Sequence, residues 1–164
     1  MNKLERLTTQ YVDSEDRIRV SGEPASGDVL AIWLTRRLLD RLISHLVLWL
    51  EQQSGDLPQR DMLMGFAQQA AWSQLAPQPP VALSQESEQW LVTSVDLSPG
   101  QEQLQLVFKG TRGQEAVISF APLALRQWLG IVHDAYQAAG WPDNPWPEWI
   151  GGDNALPGQV SVWH

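Results

Sequence analysis

The chain has no cysteine among its 164 residues, which removes disulfides, thiolate zinc sites and cysteine nucleophiles together. The opening residues, MNKLERLTTQYVDSEDR, lack the apolar core of about 7–15 residues that a secretory signal needs. The apolar run Leu46 to Leu50, with Leu42 and Ile43 just upstream, is far short of the ~20 residues that cross a bilayer. These absences point to a cytoplasmic protein with no membrane partner. Positive charge is scarce as well: residues 62–164 hold nine acids against the three bases Lys109, Arg112 and Arg126, and the whole chain carries −8. A nucleic-acid partner is therefore not expected, because phosphate binding needs clustered Lys and Arg.

Catalytic signatures are missing too. Gly-x-Ser-x-Gly and His-Glu-x-x-His do not occur, and the glycines of GTRG and IGGDN do not follow a strand into a helix as a phosphate cradle requires. Asp13, Glu15 and Asp16 gather three carboxylates, but without the central Gly and terminal Glu of a calcium loop they read as a solvated turn. Of the three histidines, His45 and His133 fall on related helices, with Asp134 beside the second. They define the alternative reading, a small-ligand or metal-dependent enzyme with its site between two repeats. No cofactor or metal is expected on the main reading.

What is present is a strand running into a strongly apolar helix, DVLAIWLTRRLLDRLISHLVLWLEQ at 28–52, and a weaker version of it, QEAVISFAPLALRQWLGIVHDAYQAA, at 114–139. A shift of 86 positions puts Gly27 on Gly113, Ile32 on Ile118, Leu39 on Leu125 and Leu42 on Trp128, and extends back to Ile18 on Leu104 and Val20 on Leu106. An ungapped match of turn glycine, strand and helix start points to internal duplication. The expected fold class is α+β: two pseudo-repeated antiparallel β-meander-plus-helix units with an additional helix between them. The expected boundaries are a first βββα unit at 1–56, the extra helix and a Pro-rich connector at 57–88, a second unit at 89–140 and a Trp- and Pro-rich strap at 141–164, all in one compact domain.

Local signals fill in this outline. Residues 4–12 read as a first strand, Arg17–Ser21 alternates polar and apolar, GEPASG at 22–27 reads as a loop, and Trp90–Leu97 reads as one strand. Thr35 is a good N-cap for a helix reaching about Gln53. A helix at 59–75, with Asp56 as a possible cap, is expected to bury Met62, Leu63, Phe66, Ala67, Ala70 and Ala71. Pro122 and Gly140 bracket the last long helix.

Nine tryptophans are many for this size, and indole is enriched at interface hot spots. Trp33 aligns with Ser119, so it needs either an internal cover or a partner. Beyond His45 the first helix is apolar nearly all round and has to be surrounded by its own domain or by a second subunit. The expectation is thus a non-enzymatic protein-binding or scaffold protein, a homodimer, acting through an apolar helix end and a Trp-rich C-terminal surface. Trp33, Leu48, Trp49, Trp146 and Trp149 are the candidate partner-binding residues. Arg36, Arg37 and Arg41, with Arg17 and Arg19 nearby, form a candidate anion-binding cluster, unless Asp40, Glu15 and Asp16 neutralise them within the chain.

Overall fold

The computed structural model describes residues 2–55 and 58–151. In chain order these form β1 (Asn2–Val12), β2 (Arg17–Pro24), β3 (Leu30–Leu34), α1 (Arg36–Gln53), α2 (Arg60–Ser73), β4 (Glu88–Leu91), β5 (Ser94–Pro99), β6 (Leu104–Lys109), β7 (Glu115–Phe120), α3 (Pro122–Ala139) and the short α4 (Glu148–Gly151). The fold is mixed α and β, with all seven strands in one curled mixed sheet of order β4-β3-β2-β1-β7-β6-β5. Antiparallel ladders join β1 to β2, β2 to β3, β5 to β6 and β6 to β7, whereas β1–β7 and β3–β4 are parallel.

Alternation decides which strand faces turn inward. Ile18 and Val20, Ile32 and Leu34, Leu104, Leu106 and Phe108, and Ile118 and Phe120 share one buried cluster with Leu39, Leu42, Ile43, Leu46, Leu50, Leu125, Trp128, Leu129 and Val132 of the two long helices. Two strand limits differ from the sequence reading. β2 continues to Pro24 rather than stopping before a loop at 22, because Gly22 has no side chain to block Leu4: a Cβ there would lie 2.4 Å from the leucine's Cδ1. The Trp90–Leu97 run is two strands. Val92 N–H donates to Trp33 O at 2.9 Å and Thr93 N–H to Lys109 O at 2.8 Å, so the backbone leaves β3 and joins β6 between those neighbouring residues.

The Pro-rich connector crosses the opposite face of the sheet, where β1 presents Arg6 and Thr8. Val81 N–H donates to Thr8 Oγ1 at 2.7 Å, and the Arg6 guanidinium donates to Pro79 O.

Helix limits follow their caps. Thr35 accepts from Leu38 N–H at 3.2 Å, and Gly140 ends α3 at φ 71°, a left-handed conformation that costs glycine nothing. The side of α2 that packs is not the expected one. Met64, Gln68 and Ala71 are buried, while Met62, Leu63 and Phe66 are 54%, 43% and 58% exposed. The cause is polar: Gln68 Nε2 donates to Arg126 O at 2.7 Å, and Arg126 reaches back to Met64 O at 3.4 Å. These bonds set the rotation of the helix against α3. Its N-cap is Gln59, with no side-chain bond to the helix; Asp56 lies outside the described residues.

Candidate functional site

The β1–β2 hairpin and the first two turns of α1 enclose an open cleft of about 710 Å³, lined by Glu15, Asp16, Arg17, Thr35, Arg36, Arg37, Asp40 and Arg41. Two elements bring these groups together. The hairpin folds back at Asp16, whose φ of 50° is left-handed, a conformation that Asp tolerates better than most residues. The Thr35 cap starts α1 directly after β3, so its first turns project Arg36, Arg37 and Arg41 beside that hairpin. The structure thus places Arg36, Arg37 and Arg41 in one cleft together with Arg17, one of the two strand arginines expected near them. Arg19 lies apart, with its guanidinium carbon 5.7 Å from the ring centre of Trp33.

Of the three carboxylates that line the cleft, Asp16 and Asp40 are each held by aromatic side chains from outside it. Asp16 Oδ1 accepts from Tyr11 OH at 2.7 Å and from Trp141 Nε1 at 3.0 Å, and Asp40 Oδ1 accepts from Tyr136 OH at 2.5 Å. Arg36 Nε is 3.6 Å from Asp40 Oδ2. Among the described residues no carboxylate stands within ion-pair distance of Arg17, Arg37 or Arg41. Tyr11, Tyr136 and Trp141 were not singled out as partners of the acids. Nothing local in the sequence announces the longer bonds, since Tyr136 and Asp40, and Trp141 and Asp16, are 96 and 125 positions apart.

Both phenols hold their protons tightly. The hydrogen bond to Asp16 pushes Tyr11 up to about 12; burial, and then the hydrogen bond to Asp40, raises Tyr136 well above its ordinary value. The same bonds, from Tyr11 and then Trp141, lower Asp16. A folded state that binds a phenolic proton more tightly than the unfolded chain gains stability that is complete below pH 10 and is lost as the pH rises towards 12. Alkaline titration should therefore show little phenolate absorbance near pH 10 in the native protein, followed by ionisation together with unfolding. Half-ionisation of either tyrosine at pH 10 with the fold intact would contradict the two hydrogen bonds.

The candidate partner-binding residues are not gathered in one place. Leu48 is 50% exposed, but Trp49 and Trp149 are 7% and 6% exposed, and Trp149 Nε1 donates to Glu51 at 3.2 Å. Trp33 is half-buried, its indole N–H donating to Gln89 at 3.1 Å. Trp146 is half-buried too, edge-on to Tyr136 at 5.2 Å and to His133 at 5.0 Å. Residues 141–151 thus strap their indoles onto α3 and the end of α1; Trp163 and His164 lie outside the described residues.

His45 is exposed on α1, whereas His133 is buried beneath Trp146 and Gly151. Burial lowers the His133 imidazole below its ordinary value; Asp143 and Asp134 oppose this with a smaller effect. Asp143 is 3.8 Å away but 70% exposed, where water screens its charge, so burial outweighs it. Among the described residues no three His, Asp or Glu side chains are grouped to hold a metal ion, and no helix is long and apolar enough to cross a membrane. The chain matches no family model, no curated protein and no solved structure.

Proposed function

We propose that the protein is a non-enzymatic scaffold that self-associates, built by internal duplication of a βββα unit and docking through the apolar surface left open on α2. The observation that carries the reading is the outward face of that helix. Met62, Leu63 and Phe66 are 54%, 43% and 58% exposed, and residues 62–85 contain no charged side chain. A solvated helix normally carries charge on its outer face, whereas the cores of interfaces are depleted of it. The occupant proposed is a second copy. Each chain carries −8, so two copies can approach closely where neither presents charge, and a twofold contact sets the same patch against itself.

The duplication is supported by strand pairing. Adding 86 to Asn2 gives Glu88 and subtracting 86 from Ala116 gives Leu30, and both Asn2↔Ala116 and Leu30↔Glu88 are parallel pairs. The same shift carries Ile18↔Leu34 onto Leu104↔Phe120 and Val20↔Ile32 onto Leu106↔Ile118. It fails by two residues in the remaining ladder, where Thr9 pairs with Val20 but Leu97, not Val95, pairs with Leu106. In the proposed duplication the first strand of each unit pairs in parallel with the third strand of the other.

Sedimentation over a range of concentrations tests the docking surface. Wild type should pass from monomer to dimer, and Met62→Glu/Phe66→Glu should weaken association at least about a hundredfold, since like charges set against each other in a contact cost several kcal/mol. At concentrations where both are monomeric, thermal midpoints of the two proteins should agree, because both positions are solvent-facing in the monomer. A wild-type protein that stays monomeric throughout, or a variant that dimerises equally well, removes α2 from the reading.

A further inference from the structure

We propose that the cleft between the β1–β2 hairpin and α1 binds an extended acidic peptide, with Arg37 and Arg41 each holding one carboxylate. This goes beyond the self-association reading and does not depend on it, since α2 contributes nothing to the cleft.

Three observations lead to this assignment. First, the cleft contains three guanidinium groups without a carboxylate partner among the described residues, those of Arg17, Arg37 and Arg41, in a chain of net charge −8. The tyrosine and tryptophan bonds hold Asp16 and Asp40 back from these three arginines, and Glu15, the third acid lining the cleft, forms no ion pair with them among the described residues.

Second, the spacing suits a strand rather than a point charge. Arg37 and Arg41 are four residues apart on one helix face, about 6 Å along the axis. Alternate side chains of an extended peptide project to the same side about 6.7 Å apart, so residues two apart on the ligand meet residues four apart on α1. Each guanidinium can then hold its carboxylate bidentately. The cleft is open and half-walled by the hairpin, which suits a passing chain better than a small molecule that must be enclosed.

Third, the arginines are not needed by the fold under the proposed duplication. Shifted by 86, Arg36, Arg37 and Arg41 become Pro122, Leu123 and Gln127, and α3 forms with those residues. Arg37 and Arg41 are exposed, and charged groups kept where neither the core nor an ion pair uses them are available to a ligand.

The test uses the full chain and two fluorescent octapeptides of equal charge, one alternating Glu and Ser and one with four Glu followed by four Ser, read by anisotropy at low salt. The alternating peptide should bind several-fold more tightly than the blocked one, and an all-Gln octapeptide should not bind. Arg37→Gln/Arg41→Gln should weaken the alternating peptide at least about tenfold, as the loss of two charge-assisted contacts requires, with an unchanged melting temperature. Arg112→Gln, away from the cleft, should change nothing. Equal affinity for the two peptides, an undiminished affinity in the double variant, or displacement of the peptide by inorganic phosphate at low concentration would each overturn the assignment. Met62→Glu/Phe66→Glu should bind the peptide as wild type does, so failure of the self-association reading leaves a separate signature.

Discussion

Trp128→Ala is expected to cost about 3–5 kcal/mol of stability, the range for removing a large aromatic from a packed core. Trp128 is 3% exposed, lies on Phe120 at 5.3 Å with the rings inclined by 26°, and donates its indole N–H to Thr9 Oγ1 at 3.0 Å. Its position gives the loss a structural meaning. The parallel seam between β1 and β7 rests on two residue pairs, Asn2↔Ala116 and Lys3↔Val117, too few to hold the start of the chain against the last strand. Trp128 reaches from α3 across that seam to Thr9, itself 2% exposed, and its removal both opens a cavity and leaves a buried hydroxyl unpaired. Trp128→Phe separates the two effects, since it keeps most of the volume but not the hydrogen bond, and should cost about 1–2 kcal/mol. Urea denaturation followed by far-UV circular dichroism measures both. A loss below about 1 kcal/mol for the alanine variant would show that the seam is held by something other than this side chain.

Helix limits and strand polarity were legible in the sequence because each is set by neighbours in the chain. Thr35 caps α1 with its own hydroxyl, Gly140 ends α3 because it adopts a positive φ, and Ile18 and Val20 turn inward because side chains alternate along a strand. The apolar end of α1 was expected to be surrounded, and Leu46, Val47, Trp49 and Leu50 are buried, with Trp149 brought over Glu51 by a segment that has no period at all. The arginine cleft was half legible. The cluster on α1 stands out by charge, but whether it would be neutralised turned on two hydrogen bonds between residues 96 and 125 positions apart, Tyr136 to Asp40 and Trp141 to Asp16, and no local pattern announces those. The rotation of α2 departs from its hydrophobic pattern for the same kind of reason. Hydrophobic periodicity ranks Met62, Leu63 and Phe66 above Gln68, yet a buried amide that finds a carbonyl partner can occupy the core position, and its partner, Arg126 O, is 58 residues away.

Gly130→Leu should lift α2 from α3, destabilising the protein by about 1–3 kcal/mol through overpacking, although leucine is the better helix former by about 0.5–1 kcal/mol. Gly130 is buried in the middle of α3. A Cβ there would lie 2.7 Å from two carbons of the Trp72 indole and 3.5 Å from Gln68 Nε2, so α2 approaches α3 closely because this position has no side chain. Shifted by 86, the counterpart of Gly130 is Ser44, which is exposed on α1, with no second helix over it among the described residues. The glycine therefore marks where the two halves of the proposed duplication diverge: one long helix receives α2 and the other does not. Hydrogen exchange should show the α2 amides of the variant losing protection while those of β2, β3, β6 and β7 keep theirs, since the Gln68 and Gln127 bonds to α3 and α2 carbonyls would be broken without disturbing the sheet. Unchanged protection in α2 together with an unchanged midpoint would mean that Trp72 swings aside and the close approach is not needed. If α2 does lift, Met64 and Ala71 join Met62, Leu63 and Phe66 in solvent. Self-association should then lose its defined dimer and become an open-ended increase in mass with concentration, because a helix free to rotate no longer presents one face to a partner.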